Sequence, residues 1–230
     1  SDIDVLSLVA ELGLDLPGAL QARPAGATEP PLRPRLEPWT EATLAADIRR
    51  LPERPLLAGI EGVQMSLAGS QAKLPVFRQD DGTLALPLDG HPSNCVLKPA
   101  NPHYRGMVEN EAFCLRLARA CGLAAPNVWV RQAEDCRYLL VERYDRRVGT
   151  AGVLRLHQED LCQALGFPPY RKYEWNSRVR LHGPTLADLF TAVSAGQHSA
   201  RNRLDLLDYV VFNLLVCNVD SHAKNYSLLF

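Results

Sequence analysis

The amino-acid sequence predicts an α+β fold made of two lobes. From residue 56 to residue 97, short apolar stretches alternate with turn residues, which is typical of strands. One well-formed helix and two more strands follow, and after Arg147 the apolar spacing becomes typical of helices. A strand-rich lobe followed by a helical lobe is an α+β arrangement. The predicted limits are 1–55 for an N-terminal helical segment with a proline-rich connector, 56–144 for the small lobe, and 145–230 for the start of the helical lobe.

The sequence of the N-terminal part predicts two helices joined by a connector. Residues 3–12 place their apolar side chains on one helical stripe, and Gly13 follows directly. Five prolines within residues 23–38 argue against regular structure, so an extended connector is expected there. Thr40 is a suitable cap for a short helix that runs to Ile48.

The small lobe predicts five strands and one helix. The turn sequence Asp80-Asp81-Gly82 lies between two apolar stretches and indicates a hairpin. The helix ends before Gly122, a residue that favours helix termini. The predicted strands are 74–77, 84–86, 95–98, 128–130 and 138–141, and the predicted helix is 108–121.

The second lobe predicts three helices and a final strand. Residues 161–165 form a short helix that ends at Gly166, and Thr185-x-x-Asp188 opens another as a capping box. Residues 203–216 form the most apolar helix, which is expected to be buried on most sides. Residues 226–230 begin a strand.

Composition and charge favour a soluble cytoplasmic protein. The formal net charge of −1 excludes a global attraction to nucleic acid or to a membrane surface. The six cysteines contain no CxxC pair, so reduced thiols are expected rather than a zinc site or disulfides. No apolar run reaches membrane-spanning length and no signal-peptide pattern is present.

The strongest chemical motif is Asp220-Ser221-His222-Ala223-Lys224-Asn225. An Asp followed five positions later by an Asn has the spacing of a protein-kinase catalytic loop. The Asp orients the attacking hydroxyl and accepts its proton, while the Asn holds magnesium on the phosphate side. The alternative is a polar turn in which both residues only cap the backbone.

Two lysines could bind phosphate groups. Lys73 ends a stretch of small residues, 65–73, whose backbone N–H groups could approach a phosphate, although a polar hairpin with a solvated lysine also fits. Lys98 ends an apolar strand, and Glu109 or Glu111 on the next helix could pair with it as in kinases. Glu111 precedes the apolar part of that helix and is the more natural partner.

Two further motifs are less informative on their own. Residues 139–147 form a strand that leaves the small lobe and enters a charged turn, which is where an adenine ring could meet backbone groups. A solvated turn of weak ion pairs is the alternative. Residues 157–160 resemble a helix start with acids near the positive end of the dipole.

Taken together, these segments resemble HipA-type serine/threonine kinases, the toxins of bacterial type II toxin–antitoxin modules. The resemblance runs from about the first helix to the last residue. It is carried by Glu142-Arg143-Tyr144-Asp145-Arg146, by Gln158-Glu159-Asp160 and by the Asp220 motif, in the order that the family has. It implies a protein-kinase-like two-lobe fold, truncated in the second lobe.

The family assigns roles to matching positions. Asp220 would be the catalytic base and Asn225 a magnesium ligand, with ATP and Mg²⁺ as cofactors. Ser66 falls where family members autophosphorylate, an event that moves the loop out and switches the kinase off. The implied ATP-binding residues are Lys73, Ser70 and Gln71 in the phosphate loop, Lys98 at the α- and β-phosphates, His222 near the γ-phosphate, Glu142 and Tyr144 at the adenine, and Asp145 beside the ribose.

The sequence departs from the family pattern in two places. Family members begin with a small β-rich subdomain, which is expected before the residue numbered 1 here. Their second metal-binding Asp is expected roughly 20 residues beyond Asp220. The fragment is therefore expected to lack part of the magnesium site and to be inactive by itself.

The resemblance implies a toxin that phosphorylates a protein on serine or threonine, with an aminoacyl-tRNA synthetase as a candidate target. The implied partner is a HipB-type antitoxin, through which any DNA contact would be indirect. A second interpretation is a catalytically dead module that binds nucleotide and antitoxin in a repressor complex. A small-molecule kinase is a more distant alternative, against which the Ser66 loop and the Gln158-Glu159-Asp160 motif argue.

Overall fold

The computed structural model describes residues 9, 12–23, 25, 33–65, 67, 71–150, 152–176, 180–196 and 198–230. Most of the predicted first helix, residues 3–12, lies outside the described residues. The chain divides into two compact units. The first comprises Ser1–Leu117 and Ala125–Leu156, and the second comprises Ala118–Ala124 and His157–Phe230. The domain limits that the sequence suggested stay a prediction.

The first unit is built on a six-stranded antiparallel sheet in the order β1-β3-β2-β4-β6-β5. Its hairpin between β2 and β3 is the predicted one: Asp81 accepts the backbone N–H of Thr83, and Gly82 has a φ of +87°, which glycine adopts without strain. The strands are β1 (Arg35–Pro38), β2 (Leu74–Arg78), β3 (Leu84–Leu88), β4 (Cys95–Pro99), β5 (Val128–Ala133) and β6 (Cys136–Glu142).

Each face of this sheet carries one helix. Helix α1 (Glu41–Arg50) begins at Thr40, which forms a capping box with Thr43, and packs with Leu140 into the main core. Helix α2 (Met107–Ala120) packs with Leu139 into a second cluster. Since neighbouring residues of a strand point to opposite faces, α1 and α2 lie on opposite sides of β6. Both predicted helices are confirmed.

Residues 35–38 differ from the predicted connector. Arg35–Pro38 is an edge strand that pairs with β3, with Arg35 opposite Leu88 and Pro38 opposite Ala85. Proline is tolerated in a strand at a sheet edge, where its missing N–H costs no ladder bond. The expectation of no regular structure is therefore wrong for this part of the connector.

A second hairpin contradicts the prediction that the chain becomes mostly helical after Arg147. Strand β7 (Arg146–Gly149) pairs antiparallel with β8 (Gly152–Arg155). The turn lies between two glycines, Gly149 and Gly152, and the latter has a φ of +112°. These glycines are a hairpin signal in a segment that helical spacing does not explain.

The described part of the second unit contains three α-helices and short strand pairs. Strand β9 (Gln158–Asp160) continues into α3 (Leu161–Ala164), β10 (Trp175–Asn176) pairs with β11 (Leu181–His182), and α4 (Leu186–Val193) precedes α5 (Ser199–Leu215). Strand β12 (Ser227–Leu229) pairs antiparallel with β9. The predicted capping box of Thr185 and Asp188 opens α4. The core of this unit consists of Leu161, Cys162, Leu189, Val193, Leu206 and Ala223.

Helix α5 is less buried than its composition suggests. Leu206 is its one buried residue, and Val210 packs beside the core. Five other large apolar side chains of this helix are exposed in the described part of the chain. They are Leu204, Leu207, Val211, Leu214 and Leu215. The prediction of a helix buried on most sides is wrong.

Within the part of the chain that the structure describes, none of the helices has the length and apolar character needed to cross a bilayer. The six cysteines are all free. Cys95 and Cys162 are buried, and burial raises the pKa of the Cys95 thiol to about 12. Cys114 and Cys136 are half-buried, and Cys121 and Cys217 are exposed.

Candidate functional site

The first group of candidate residues lies on the α2 face of the sheet. Lys98 near the end of β4 donates to Glu111 Oε1 of α2 at 2.5 Å, and both side chains are about one quarter exposed. Glu109 instead pairs with Arg137 on the surface. Helix geometry explains the choice, because residues two positions apart on a helix do not share a face. The prediction that Glu111 is the partner of Lys98 is confirmed.

Lys73 belongs to the same group. It precedes β2, whose Leu74 is opposite Leu97, so the register brings Lys73 next to Lys98. Burial lowers the pKa of Lys73, and the positive charge of Lys98 lowers it further, while Glu111 acts in the opposite direction. Two cations thus share one carboxylate. The two lysines and Glu111 therefore lie close enough to influence one another electrostatically.

The remaining loop residues are described only in part. Ser66 and Ser70 lie outside the described residues. Gln71 is half-buried in the bend that leads to Lys73. Their assignments to the phosphate loop and to autophosphorylation stay predictions.

Residues 142–146 are called the hinge segment below, and their side chains alternate between exposed and buried from 142 to 145, with Arg146 also buried. Glu142 and Tyr144 are exposed, and Glu142 accepts the side-chain amide of Asn127 at 2.6 Å. The backbone N–H of Glu142 donates to Asn127 O, which extends the pairing of β5 with β6. Arg143, the next residue, is buried. Both side chains assigned to adenine are therefore accessible.

Asp145 is buried among charged side chains, unlike the solvated turn that was the alternative interpretation of residues 139–147. It is 3 % exposed and accepts from Arg143 at 2.8 and 3.0 Å, from Arg146 at 2.9 Å and from the backbone N–H of Gly18 at 2.8 Å. Burial by itself would raise the pKa of this carboxyl, but the hydrogen bonds and charge of Arg143, the charge of Arg146 and the N–H of Gly18 together outweigh burial and hold the pKa below its usual value. Both carboxylate oxygens of Asp145 are thus engaged by neighbouring residues, and its predicted contact with the ribose stays a prediction.

The second group of candidate residues is the Asp220 loop, residues 220–225, in the second unit. Asp220 is largely solvent-exposed, with 70 % of its side chain accessible. Its Oδ1 accepts the hydroxyl of Tyr173 at 2.6 Å, and its backbone oxygen accepts the amide of Asn225 at 2.7 Å. Among the described residues, no group donates to the amide oxygen of Asn225. An accessible carboxylate and an available amide oxygen are what the predicted roles require.

His222 lies beneath Asp220. Its side chain is 7 % exposed, Nε2 is 3.8 Å from Asp220 Oδ1, and its ring meets that of Tyr173 edge-to-face at 5.1 Å. Burial lowers the pKa of His222, with the charge of Lys172 acting in the same direction. The ring is therefore neutral at pH 7. A buried neutral ring supports the Asp220 loop from below, and the predicted contact with the γ-phosphate stays a prediction.

The Asp220 loop is anchored by the Gln158-Glu159-Asp160 motif. Asp160 caps α3 through the backbone N–H of Gln163 and also pairs with Lys224. The ladder of β9 and β12 follows the loop, and Leu161 N donates to Tyr226 O at 2.9 Å. A motif that looked like a simple helix start therefore fixes the loop that carries Asp220.

Sequence reasoning missed Tyr173 because the residue belongs to no motif. It lies 47 positions from Asp220, and the connection depends on Lys172 O accepting the backbone N–H of Ala223. No local pattern carries such a contact. The described residues also contain no group of three or more His, Cys, Asp or Glu side chains that could hold a metal ion.

Comparison with known proteins agrees with this geometry. The model of the HipA-like C-terminal domain matches residues 65–230, which include Lys98, the hinge segment and the Asp220 loop. The chain belongs to the HipA-like family. The relation and the kinase-like α+β fold that the sequence predicts are thus confirmed.

The relatives of the chain in the HipA-like family include named kinases. A putative kinase of Sinorhizobium fredii, Y4mE, is 44 % identical over 97 % of this chain and 53 % of its own length. The serine/threonine-protein kinase toxin HipA of Shewanella oneidensis is 32 % identical over 97 % of this chain and 52 % of its own length. The chain thus spans about half the length of these relatives.

A solved structure shares the fold. It is the complex of Shewanella oneidensis HipA with HipB and its operator DNA, and it superimposes with a TM-score of 0.80 at 31 % identity. The match covers 100 % of this chain and 55 % of that chain.

Proposed function

We propose that this chain is part of an ATP-dependent serine/threonine protein kinase, the toxin component of a type II toxin–antitoxin system. The observation that carries the proposal is the Lys98–Glu111 ion pair, with Lys73 beside it. A strand lysine held by a helix glutamate is the arrangement by which kinases bind the α- and β-phosphates of ATP. Relatives named as kinases support the same reaction.

The chemistry follows from the side chains. Lys98 and Lys73 would offset the charge of the nucleotide phosphates, and the backbone beside Glu142 and Tyr144 would bind adenine. Asp220 would orient the hydroxyl of a substrate serine or threonine and accept its proton as that oxygen bonds to the γ-phosphorus and ADP leaves. Mg²⁺ would stabilise charge on the phosphate oxygens, and Asn225 would hold the ion through its side-chain amide oxygen.

Partners and regulation complete the proposal. A HipB-type antitoxin is the proposed partner, supported by the solved complex that pairs the Shewanella protein with HipB and DNA. A translation factor such as an aminoacyl-tRNA synthetase is the proposed protein substrate. Phosphorylation of Ser66 would add about −1.5 to −2 charge to the loop and repel the phosphates of ATP, which would switch the kinase off.

Lys98→Ala tests nucleotide binding. Loss of a charge-assisted hydrogen bond to phosphate is expected to weaken Mg-ATP binding by about 1.5–3 kcal/mol, measured by calorimetry. Arg137→Ala is the matched control, because it removes the exposed partner of Glu109 on the same helix and should leave ATP affinity unchanged. Equal affinity of wild type and Lys98→Ala would contradict the role of Lys98.

Asp220→Asn separates catalysis from binding. Because Asp220 is exposed, its replacement should change the melting temperature and the ATP affinity little. Incorporation of phosphate from labelled ATP should fall on the order of 10²-fold or more. Asp208→Asn on the exposed side of α5 is the control. Transfer at the wild-type rate would refute the assignment of Asp220. All of these transfer measurements use the full-length protein, because the fragment is expected to be inactive by itself. Nucleotide binding without any transfer by the full-length wild-type protein would favour a binding module in a repressor complex.

A further inference from the structure

The N-terminal residues 13–18 contact the inner side of the hinge segment. Asp15 pairs with Arg146 Nη2 at 2.9 Å and with Arg143 Nη1 at 3.3 Å. The backbone oxygen of Leu16 accepts from both arginines, at 3.1 and 2.8 Å. Gly18 donates its N–H to Asp145 and accepts from Arg146. Three residues of the N-terminal segment (15, 16 and 18) and three of the hinge segment (143, 145 and 146) are thus joined by polar bonds.

This contact is among the most enclosed in the first unit. Asp15 is 2 % exposed, and the buried charge cluster of Asp15, Arg143, Asp145 and Arg146 contains two carboxylates and two guanidinium groups. Ser93 adds its hydroxyl at 2.6 Å and its backbone N–H at 3.1 Å to the same carboxylate oxygen of Asp15. A buried charge pair needs close geometric match to offset its desolvation, so the cluster permits few alternative positions of these residues.

Buried and exposed side chains alternate in the hinge segment, so the cluster that fixes the buried ones also fixes the backbone that carries the exposed ones. Arg143 and Asp145 point inward to the cluster, whereas Glu142 and Tyr144 lie on the exposed side. Asp15 therefore contacts Arg143, which precedes Tyr144, and Arg146, which lies two positions after it, without touching the exposed side itself. A change in the cluster shifts the backbone that the proposed adenine contacts share.

Asp15 comes from outside the region that matches the family domain, which begins at residue 65. The segment that carries it is held to the first unit at Met65 through a parallel bridge, with Leu14 N and Asp15 N both donating to Gln64 O. The hinge segment is thus completed by a residue about 130 positions earlier in the chain.

We propose that Asp15 is a positioning residue for nucleotide binding, which fixes the hinge segment in the conformation that accepts adenine. This inference rests on the proposed function. Without the carboxylate, Arg143 and Arg146 keep one acidic partner, Asp145, and the hinge segment samples other conformations. A protein that is competent to bind in only a fraction of molecules has its affinity reduced by that fraction, and saturating ligand restores the competent state.

The test is Asp15→Asn in the full chain, with binding of Mg-ATP followed by calorimetry. The dissociation constant is expected to rise on the order of tenfold, which corresponds to a competent fraction of about one tenth. Where phosphate transfer is measured, KM for ATP rises by the same factor and kcat stays unchanged. Ser93→Ala removes one neutral partner of Asp15 and is expected to give a rise of about two- to threefold. If Asp15→Asn does not fold, Ser93→Ala takes its place as the test variant.

Asp89→Asn is the matched control. Asp89 is as buried as Asp15 and belongs to the same unit, but it pairs with Arg35 of β1 and not with the hinge segment. If both Asp variants melt earlier while neither changes ATP affinity, Asp15 has a structural role alone and the inference is overturned. If Lys98→Ala also leaves affinity unchanged, the proposed function itself fails. Weaker binding in Lys98→Ala but not in Asp15→Asn overturns the positioning role alone.

Discussion

The hinge segment and the Asp220 loop both carry predicted site residues, but different interactions hold them in place. In the hinge segment, buried charges fix the backbone, and the residues that face outward are neighbours of those charges. In the Asp220 loop, a strand ladder and bonds at the surface fix the backbone, and Asp220 itself is exposed. Binding and folding are therefore coupled in the first region, whereas catalysis and folding are separable in the second.

The largest expected effect comes from Arg143→Ala. This change leaves Asp15 and Asp145 buried with one arginine fewer, and removing one partner of a buried ion pair costs about 3–5 kcal/mol. Urea unfolding should show the loss as a lower midpoint. Arg50→Ala is the control, because its pair with Asp47 is exposed on the arginine side and should matter by no more than about 1 kcal/mol. Similar costs for the two variants would contradict the view that buried charge holds the hinge segment.

Asp160→Ala should have an intermediate effect. It removes the cap of α3 and leaves Lys224 without its partner, so a loss of about 1–2 kcal/mol is expected. Hydrogen exchange of the Asp220 loop amides should also accelerate. Thr185→Ala removes the comparable cap of α4, which has no bond to the loop, and should leave that exchange unchanged. If both variants accelerate exchange equally, Asp160 is a helix cap and does not anchor the loop.

The smallest expected effect is a pH dependence due to His222. Burial lowers its pKa, with Lys172 and Lys224 adding to the shift and Asp220 opposing it. The ordinary pKa of histidine is about 6.5, so as the pH falls below that value His222 takes up a proton in the unfolded state before it does so in the folded state. Stability should therefore be full above pH 6.5 and fall as the pH decreases through that value. In His222→Gln this part of the decrease should disappear.

His91 provides the reference for that measurement. Burial also lowers the pKa of His91 in the first unit, so wild type and His222→Gln share its contribution. Unfolding free energies of both proteins from pH 5 to pH 8 isolate the difference. Parallel curves over this range would mean that His222 is not held neutral by the fold.

Local signals in the sequence predicted much of the fold and part of the site. Thr40 and Thr185 marked helix starts, and the Asp80-Asp81-Gly82 turn marked the hairpin, because each acts on residues within one turn of itself. Lys98 and Glu111 were also predictable, since a strand and the following helix pack together and helix geometry leaves one of two acids on the correct side.

The features that were missed depend on residues far apart in sequence or on what covers a surface. Asp15 and Arg146 are 131 positions apart, and nothing near either residue indicates the other. The exposed apolar side of α5 shows that composition predicts which residues can be buried, not which ones are. The buried partners of Asp145 were unpredictable for a related reason, because a charged motif looks solvated until its partners are known.

The strand pair β9–β12 also affects the order in which this protein can form. Asp160 and Lys224 are 64 residues apart, whereas the β2–β3 hairpin joins residues that are nearly adjacent. Closing a long loop costs more chain entropy than closing a short one, and long-range strand pairing forms slowly. Synthesis delivers the N-terminal residues first, at about 5–20 residues per second. All strands of the first unit's sheet are therefore synthesised well before β12. The Asp220 loop, which depends on β12, becomes ordered after that sheet.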